Sequence, residues 1–366
     1  MVKSCDVGSL PFPQGLEKYV KGAEAFEEGR VGEWAEYFEK TVTDVFLDKL
    51  RAGIDVPNFP QFRDMSLMFL GMMTGLEKTK EGYVEVERLE LKRGRGCLPE
   101  VSALKKNARE IHEKYGKTFS MRVCVTGPYT LASFFPYRTS ETFGNLGVVL
   151  SRIVEHNVFR EKAGGVVLVS IDEPLFGVLN DPLIDRGSFG RENLFSAWRG
   201  IFGSAKACGV QTCLHLHNTS DGLFWDVEGL DVIESHVDDS IYQLKKTKEL
   251  LEAEDKFLKA SVCITDFDRL IKEAVGRSSA GMVSDSSLNQ ELAEVWKKIR
   301  KGLVAPEVFL ETEEVIKQRA LRVVEQFGAE RVLFVGPECG LRGFPSYECG
   351  VECLRRVAGA TKQLNV

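Results

Sequence analysis

Eight short runs rich in apolar and β-branched residues alternate with longer stretches of helical periodicity. This alternation narrows the choice of fold more than any other feature of the 366 residues. The runs cover residues 4–10, 54–59, 119–126, 165–171, 210–217, 232–237, 260–265 and 331–335. Between them, residues 32–50 repeat Trp34, Tyr37, Phe38, Val42, Val45, Phe46 and Leu50 at helical spacing, and residues 313–327 carry a similar stripe. Strands that alternate with helices build parallel βα units. Eight such units predict an α/β fold, a closed (β/α)8 TIM barrel, and several runs are apolar on both faces, as strands enclosed by helices must be.

Two connections exceed a minimal unit. Residues 60–118 hold a helix-like piece, an alternating arm at 81–91 that reads as half of a hairpin, and a basic turn, Lys92-Arg93-Gly94-Arg95-Gly96, that reads as its solvated tip. Residues 267–330 hold two or three helices. Both are expected to be insertions on one barrel spanning 1–366, because no Gly/Ser/Pro-rich linker separates two halves.

Charge and composition exclude several classes of function. The balance of 48 Lys+Arg against 54 Asp+Glu gives a net charge of −6, which argues against a nucleic-acid or anionic-membrane surface as the main partner. The longest uncharged apolar run, 164–171, is far below the ~18 residues of a membrane span. No secretory n-region opens the sequence, and nine cysteines lack framework spacing, so a reducing cytoplasm is expected. In that compartment the glycosylation-like Asn218-Thr219-Ser220 is a chance match.

Active sites of such barrels sit at the C-terminal ends of the strands. There the reactive residues are concentrated, since three of only five histidines, His215, His217 and His236, lie within 22 residues. The fifth run ends in His215-Leu216-His217, the sixth carries Glu234-Ser235-His236, and the last leads into Gly336-Pro337-Glu338-Cys339-Gly340. Period-two alternation puts His215 with His217 on one face, and Glu234 with His236 on another. Two histidines, a cysteine and either a carboxylate or a third histidine form a borderline-soft donor set suited to Zn²⁺. Cys213 reads as a deeper neighbour, and His112 and His156, on helical stretches, as structural. Asp172-Glu173-Pro174 closes the fourth run, with Asp172 the stronger candidate for a cationic or hydroxylated substrate group and Glu173 a candidate for substrate or loop.

Several motifs in register with the eight runs resemble the catalytic barrel of cobalamin-independent methionine synthase, in its short, single-barrel archaeal-type form. They are Val7-Gly8-Ser9-Leu10-Pro11, the segment 61–65, Val125-Thr126-Gly127-Pro128, Ile171-Asp172-Glu173-Pro174, His215-x-His217 and Gly336-Pro337-Glu338-Cys339-Gly340-Leu341-Arg342. The resemblance implies a zinc-dependent S-methyltransferase acting on a thiol, normally homocysteine, which becomes methionine. By position it makes His215 and Cys339 zinc ligands, gives Ser9 the substrate carboxylate and Asp172 its ammonium group, and puts Gln61 where the long enzymes carry a second ammonium-binding Glu.

The chain departs from that family at its ligands. His217 stands for a cysteine, and His236 aligns with the family's glutamate ligand, with Glu234 two residues earlier; either can serve. The family's strand-seven histidine is absent, and Asp266 is the nearest polar substitute for a catalytic role. One His, two Cys and one Glu around Zn²⁺ sum to a formal charge of −1, whereas His, His, Glu, Cys gives 0 and three His with one Cys gives +1. A more positive metal acidifies a bound thiol but leaves its thiolate less nucleophilic, which favours an electrophilic donor. Methylcobalamin or a methylated corrinoid protein fits better than a methylfolate, and the length agrees, since the long enzymes add an N-terminal barrel in binding folate. Alternatives are methyl or alkyl transfer to another thiol such as coenzyme M, a metal-free barrel like uroporphyrinogen decarboxylase, and a non-catalytic binding barrel.

Overall fold

The computed structural model describes residues 1–12, 15–178, 180–278 and 285–364. Its strands are β1 (Lys3–Ser4), β2 (Met73–Lys78), β3 (Tyr83–Leu91), β4 (Phe119–Thr126), β5 (Arg160–Glu161), β6 (Gly164–Glu173), β7 (Gln211–Leu216), β8 (Val232–Glu234), β9 (Phe257–Cys263) and β10 (Val332–Pro337). Seven pair side by side in the order β1-β10-β9-β8-β7-β6-β4, every pair parallel. The gap between β1 and β4 is filled by the second predicted run. It makes parallel bridges Cys5–Val56 on one side and Asn58–Arg122 on the other, and so closes the ring of a (β/α)8 barrel.

That run is not a regular strand, and the reason lies in its composition. Pro57 and Pro60 supply no backbone N–H, so the ladder is interrupted. Side chains take over the pairing. Lys49, fully buried on the helix Glu33–Ala52, donates to Asp6 Oδ2 at 2.7 Å and to the carbonyls of Gly8 and Asn58. Asp6 accepts from the Asn58 amide, and the Asn58 side chain donates to Val7 O. The same substitution of side chains for ladder bonds ends β1 at Ser4, well short of the predicted 4–10.

The helices at Glu33–Ala52 and Glu313–Phe327 match their apolar stripes. In the first long connection, β2 and β3 form an antiparallel hairpin. The basic turn is not its tip, because Thr79–Gly82 closes the hairpin and residues 92–96 follow β3, with Arg95 paired to Glu27 and Glu28. The second long connection carries the helices Phe267–Ser278 and Asp285–Arg300 ahead of Glu313–Phe327. Among the described residues no helix is long and apolar enough to cross a membrane.

Inside the barrel the side chains lie in layers. Cys5, Val56, Leu168, Cys213, Val232 and Phe334, from six different wall segments, pack into a small apolar cluster separate from the main core between strands and helices. Two residues further along each strand the inward positions become Ser170, His215, Glu234 and Gly336. The layer therefore turns polar on the way to the C-terminal end.

Candidate metal centre

Above the apolar plug lies a layer of buried charge. Glu234, fully buried, sits beside His215 and Lys259 in the register of β7, β8 and β9. Its Oε2 is ion-paired with Arg122 Nη1 at 2.8 Å, and its Oε1 with Lys259 Nζ. Arg122 reaches across from β4 and also donates through Nη2 to Ser170 Oγ at 2.7 Å, near Asp172 Oδ1 at 3.7 Å. Gly336 makes room for this layer, since a Cβ there would stand 1.9 Å from the Cys5 carbonyl oxygen and 2.9 Å from Lys259 Cε. Burial disfavours the Glu234 anion, but Arg122, Lys259 and His215 outweigh it and hold its carboxyl well below the usual range.

At the strand ends four side chains converge. One donor atom each from His215, His217, His236 and Cys339 lie within 4.8 Å of one another. His217 Nε2 is 3.6 Å from Cys339 Sγ, and the rings of His217 and His236 are 4.1 Å apart between centroids. His215 is buried and turns Nδ1 to within 3.3 Å of Glu234 Oε1, which leaves Nε2 for the cluster. His236 Nε2 is buried with no hydrogen-bond partner. Three imidazoles and one thiol, with an unsatisfied ring nitrogen among them, are a donor set that fits Zn²⁺.

Between Glu234 and His236, the geometry separates two residues that the sequence left as alternatives. His236 joins the cluster; Glu234 does not, because both its oxygens face the buried cations. The same-face expectation fails because β8 ends at Glu234, so period-two alternation stops before His236. Cys213 is buried below, its Sγ 3.7 Å from Glu234 Oε2 and outside the cluster. His112 and His156 lie on the helices Ala108–Tyr115 and Ser140–Asn157, also outside it.

Burial works against a charged Cys339, but the neighbouring imidazoles of His215, His217 and His236 prevail and hold its thiol well below the ordinary value. Burial likewise opposes the His215 cation, yet Glu234 and Cys339 raise its pKa to about 10. This partly exposed thiol of the metal-free protein is therefore expected to be alkylated by iodoacetamide at a lower pH than an ordinary cysteine. Prior addition of Zn²⁺ should block the reaction; peptide mapping that finds Cys339 unlabelled in metal-free protein would contradict the geometry.

Two cavities meet at the cluster and share His217, Cys339 and Gly340. The smaller, about 290 Å³, brings together Ser9, Gln61 and Asp172 with His215, Arg63 and Arg342. Ser9 and Gln61 face each other through a parallel bridge, and the loop after β10 closes on Ser9, whose carbonyl accepts from the Leu341 amide at 2.8 Å. A Cβ at 340 would stand 2.0 Å from Ser9 Oγ, so a larger residue there would displace the Ser9 hydroxyl. Asp172 accepts from Ser170 at 2.8 Å, and burial raises its pKa against the pull of His215 and Arg122. The larger cavity, about 770 Å³, is walled by Asp266, Arg269, Asp238 and Glu338 beside His217 and His236. Asp266 is exposed there and caps the helix Phe267–Ser278 by accepting from the Arg269 amide at 3.1 Å.

Glu173 does not join the candidate substrate residues. It is fully buried and accepts from the amides of Tyr129 and Thr130 and from Trp198 Nε1, which fixes the start of the helix Pro128–Ala132 and turns the carboxylate away from both cavities. Neighbouring residues in a strand point to opposite sides, so Asp172 and Glu173 part company. Sequence reasoning passed over Arg122, Lys259 and Glu338. Glu338 is buried and ties three strand ends together by accepting from the Val237 and Thr265 amides. For Arg122 and Lys259 a signal existed: a lone cation within an otherwise apolar strand needs a buried partner.

No family model matches the chain, and no curated protein matches it. Solved structures do. The chain is similar to a putative vitamin-B12 independent methionine synthase from Listeria monocytogenes, at 14% identity and TM-score 0.60 over 100% of this chain and 99% of that one. It is similar to a B12-independent methionine synthase from Shewanella sp. W3-18-1 in complex with selenomethionine, at 14% identity and TM-score 0.59 over 99% and 97%. A methyltransferase from Methanosarcina mazei aligns at 14% identity and TM-score 0.54 over 98% and 94%. At such identity the likeness establishes the shared fold, a (β/α)8 barrel with insertions.

Proposed function

We propose that this chain is a zinc-dependent S-methyltransferase, one barrel over 1–366 that activates a thiol for attack on a methyl donor. The carrying observation is the His215/His217/His236/Cys339 cluster at the junction of two cavities, with donor atoms within 4.8 Å of one another. These four residues would hold Zn²⁺, which when bound would act as a Lewis acid keeping a thiol substrate in its thiolate form. Structural neighbours named as methionine synthases and a methyltransferase support the class of reaction.

The residues divide the work by cavity. In the smaller one Asp172 would accept the substrate ammonium group, Ser9 would hold its carboxylate, and Gln61 would bond the ammonium from the facing segment. Homocysteine meets all three, so it is the proposed acceptor and methionine the product. The larger cavity would admit the donor, with Asp266 on its wall facing the departing group. The sulfur attacks the methyl carbon in line, and the old methyl bond breaks with its electron pair remaining on the donor. A centre of three His and one Cys, formally +1, favours an electrophilic methyl, so methylcobalamin or a methylated corrinoid protein is the proposed donor. A cytoplasmic location follows from the same reading.

The test is zinc analysis of the purified protein and an assay of methylcobalamin with homocysteine and with coenzyme M. The expected result is near-stoichiometric zinc and methionine formation. Asp172→Asn should raise KM for homocysteine about 10–100-fold, the worth of a charged hydrogen bond of about 1.5–3 kcal/mol, and leave any reaction of ammonium-free coenzyme M unchanged. Methylation of coenzyme M alone would reassign the acceptor. Protein with neither zinc nor methylation of either thiol would overturn the reading.

A further inference from the structure

We propose that Glu234 is the positioning residue of the metal centre: from behind His215 it holds the imidazole with Nδ1–H toward its carboxylate, so that Nε2 faces the cluster. This deepens the zinc reading above and rests on it. His215 is 2% exposed, and its Nδ1 makes no hydrogen bond in the metal-free chain. Glu234 Oε1 stands 3.3 Å from it, within ion-pair reach but off the line of a hydrogen bond. An imidazole buried in this way needs an acceptor for its N–H, and Glu234 is the group in reach.

The carboxylate is held in place for this task. Cross-strand register sets Glu234 between His215 on β7 and Lys259 on β9, and Arg122 arrives from the far wall of the barrel at 2.8 Å. Swinging Glu234 up to bind the metal would leave two buried cations without their counter-charge, a cost that keeps it below the ligands. Lys259 extends the arrangement to the second strand end. Its Nζ also donates to the carbonyl of Pro337 at 2.6 Å, two residues before Cys339. One buried carboxylate thereby orients His215 directly and the approach to Cys339 through Lys259. A carboxylate behind a ligating imidazole fixes its tautomer and strengthens it as a donor, and losing such a partner typically weakens metal binding about 10–100-fold.

The test compares Zn²⁺ affinity, by competition with a chromophoric chelator, in the parent, Lys259→Met and the pair variant Glu234→Gln/Lys259→Met. Removing one charge of each sign keeps the buried layer balanced, whereas Glu234→Gln alone strands both cations and is expected to fold poorly. The pair variant should bind Zn²⁺ about 10–100-fold more weakly than Lys259→Met, with a shifted Co²⁺ absorption spectrum and the same metal-free melting temperature. Nitrogen NMR of the zinc-loaded parent should show His215 protonated at Nδ1. A folded pair variant that binds Zn²⁺ as tightly as Lys259→Met overturns the role of Glu234, and so does a zinc-loaded parent with His215 protonated at Nε2. A parent that takes up neither Zn²⁺ nor Co²⁺ overturns instead the metal reading beneath it.

Discussion

Cys339→Ala is expected to abolish stoichiometric zinc and to lower thiol methylation at least about a hundredfold. The floor is set by losses of about 10–100-fold when only an outer partner of a ligand is removed; a direct ligand costs more. Cys339 is the one sulfur in the cluster, its Sγ 3.6 Å from His217 Nε2, and the three imidazoles around it lower its pKa. His217→Ala and His236→Ala should each lose metal as well, whereas Cys213→Ala, below the cluster, should keep it. Zinc content by atomic emission, read beside the melting temperature, separates loss of metal from loss of fold. A Cys339→Ala protein with full zinc and parental rate would remove the centre proposed here.

Arg122→Met should destabilise the fold far more than a surface substitution does. It removes an ion pair with Glu234 at 2.8 Å and a hydrogen bond to Ser170 at 2.7 Å and leaves the fully buried Glu234 with Lys259 as its remaining cation. Taking one partner from a buried ion pair costs about 3–5 kcal/mol; because Lys259 stays, the expected loss is at the lower end, about 3 kcal/mol. With unfolding entropy of about 2.1 cal/mol/K per residue, that lowers the melting temperature by about 4 °C. Arg109→Met is the control, because Arg109 pairs with Glu113 on the surface, at side-chain exposures of 90% and 60%, and its loss should stay within about 0.5 kcal/mol. Equal melting temperatures for the two variants would mean that the buried layer contributes no more than a surface pair.

Much of the fold was legible because hydrophobic period reports enclosure. Seven of the eight predicted runs became barrel strands, and the eighth took its place in the ring through bridges. What the period could not report was where side chains replace the ladder. Pro57 and Pro60 signal an interruption, but that Lys49, Asp6 and Asn58 would take over the backbone groups depends on a helix folding back onto that edge. The site divides in the same way. His215, His217 and Cys339 could be singled out because reactive residue types gathered at strand ends. Glu234 and His236 could not be ranked, because the alternation that placed them together holds only while the strand lasts, and β8 ends between them. Asp172 and Glu173 were both carboxylates at a strand end, yet only Asp172 faces the small cavity; Glu173 caps a helix.

By itself, then, the sequence determined the barrel and the chemical type of its centre, since periodicity and residue type are local properties of the chain. Tertiary structure alone decided which side chains share the candidate metal site and which stand behind it. That choice depends on where buried charge finds its partner, and Arg122 meets Glu234 and Lys259, more than a hundred residues further along the sequence, only when the strands close into one ring.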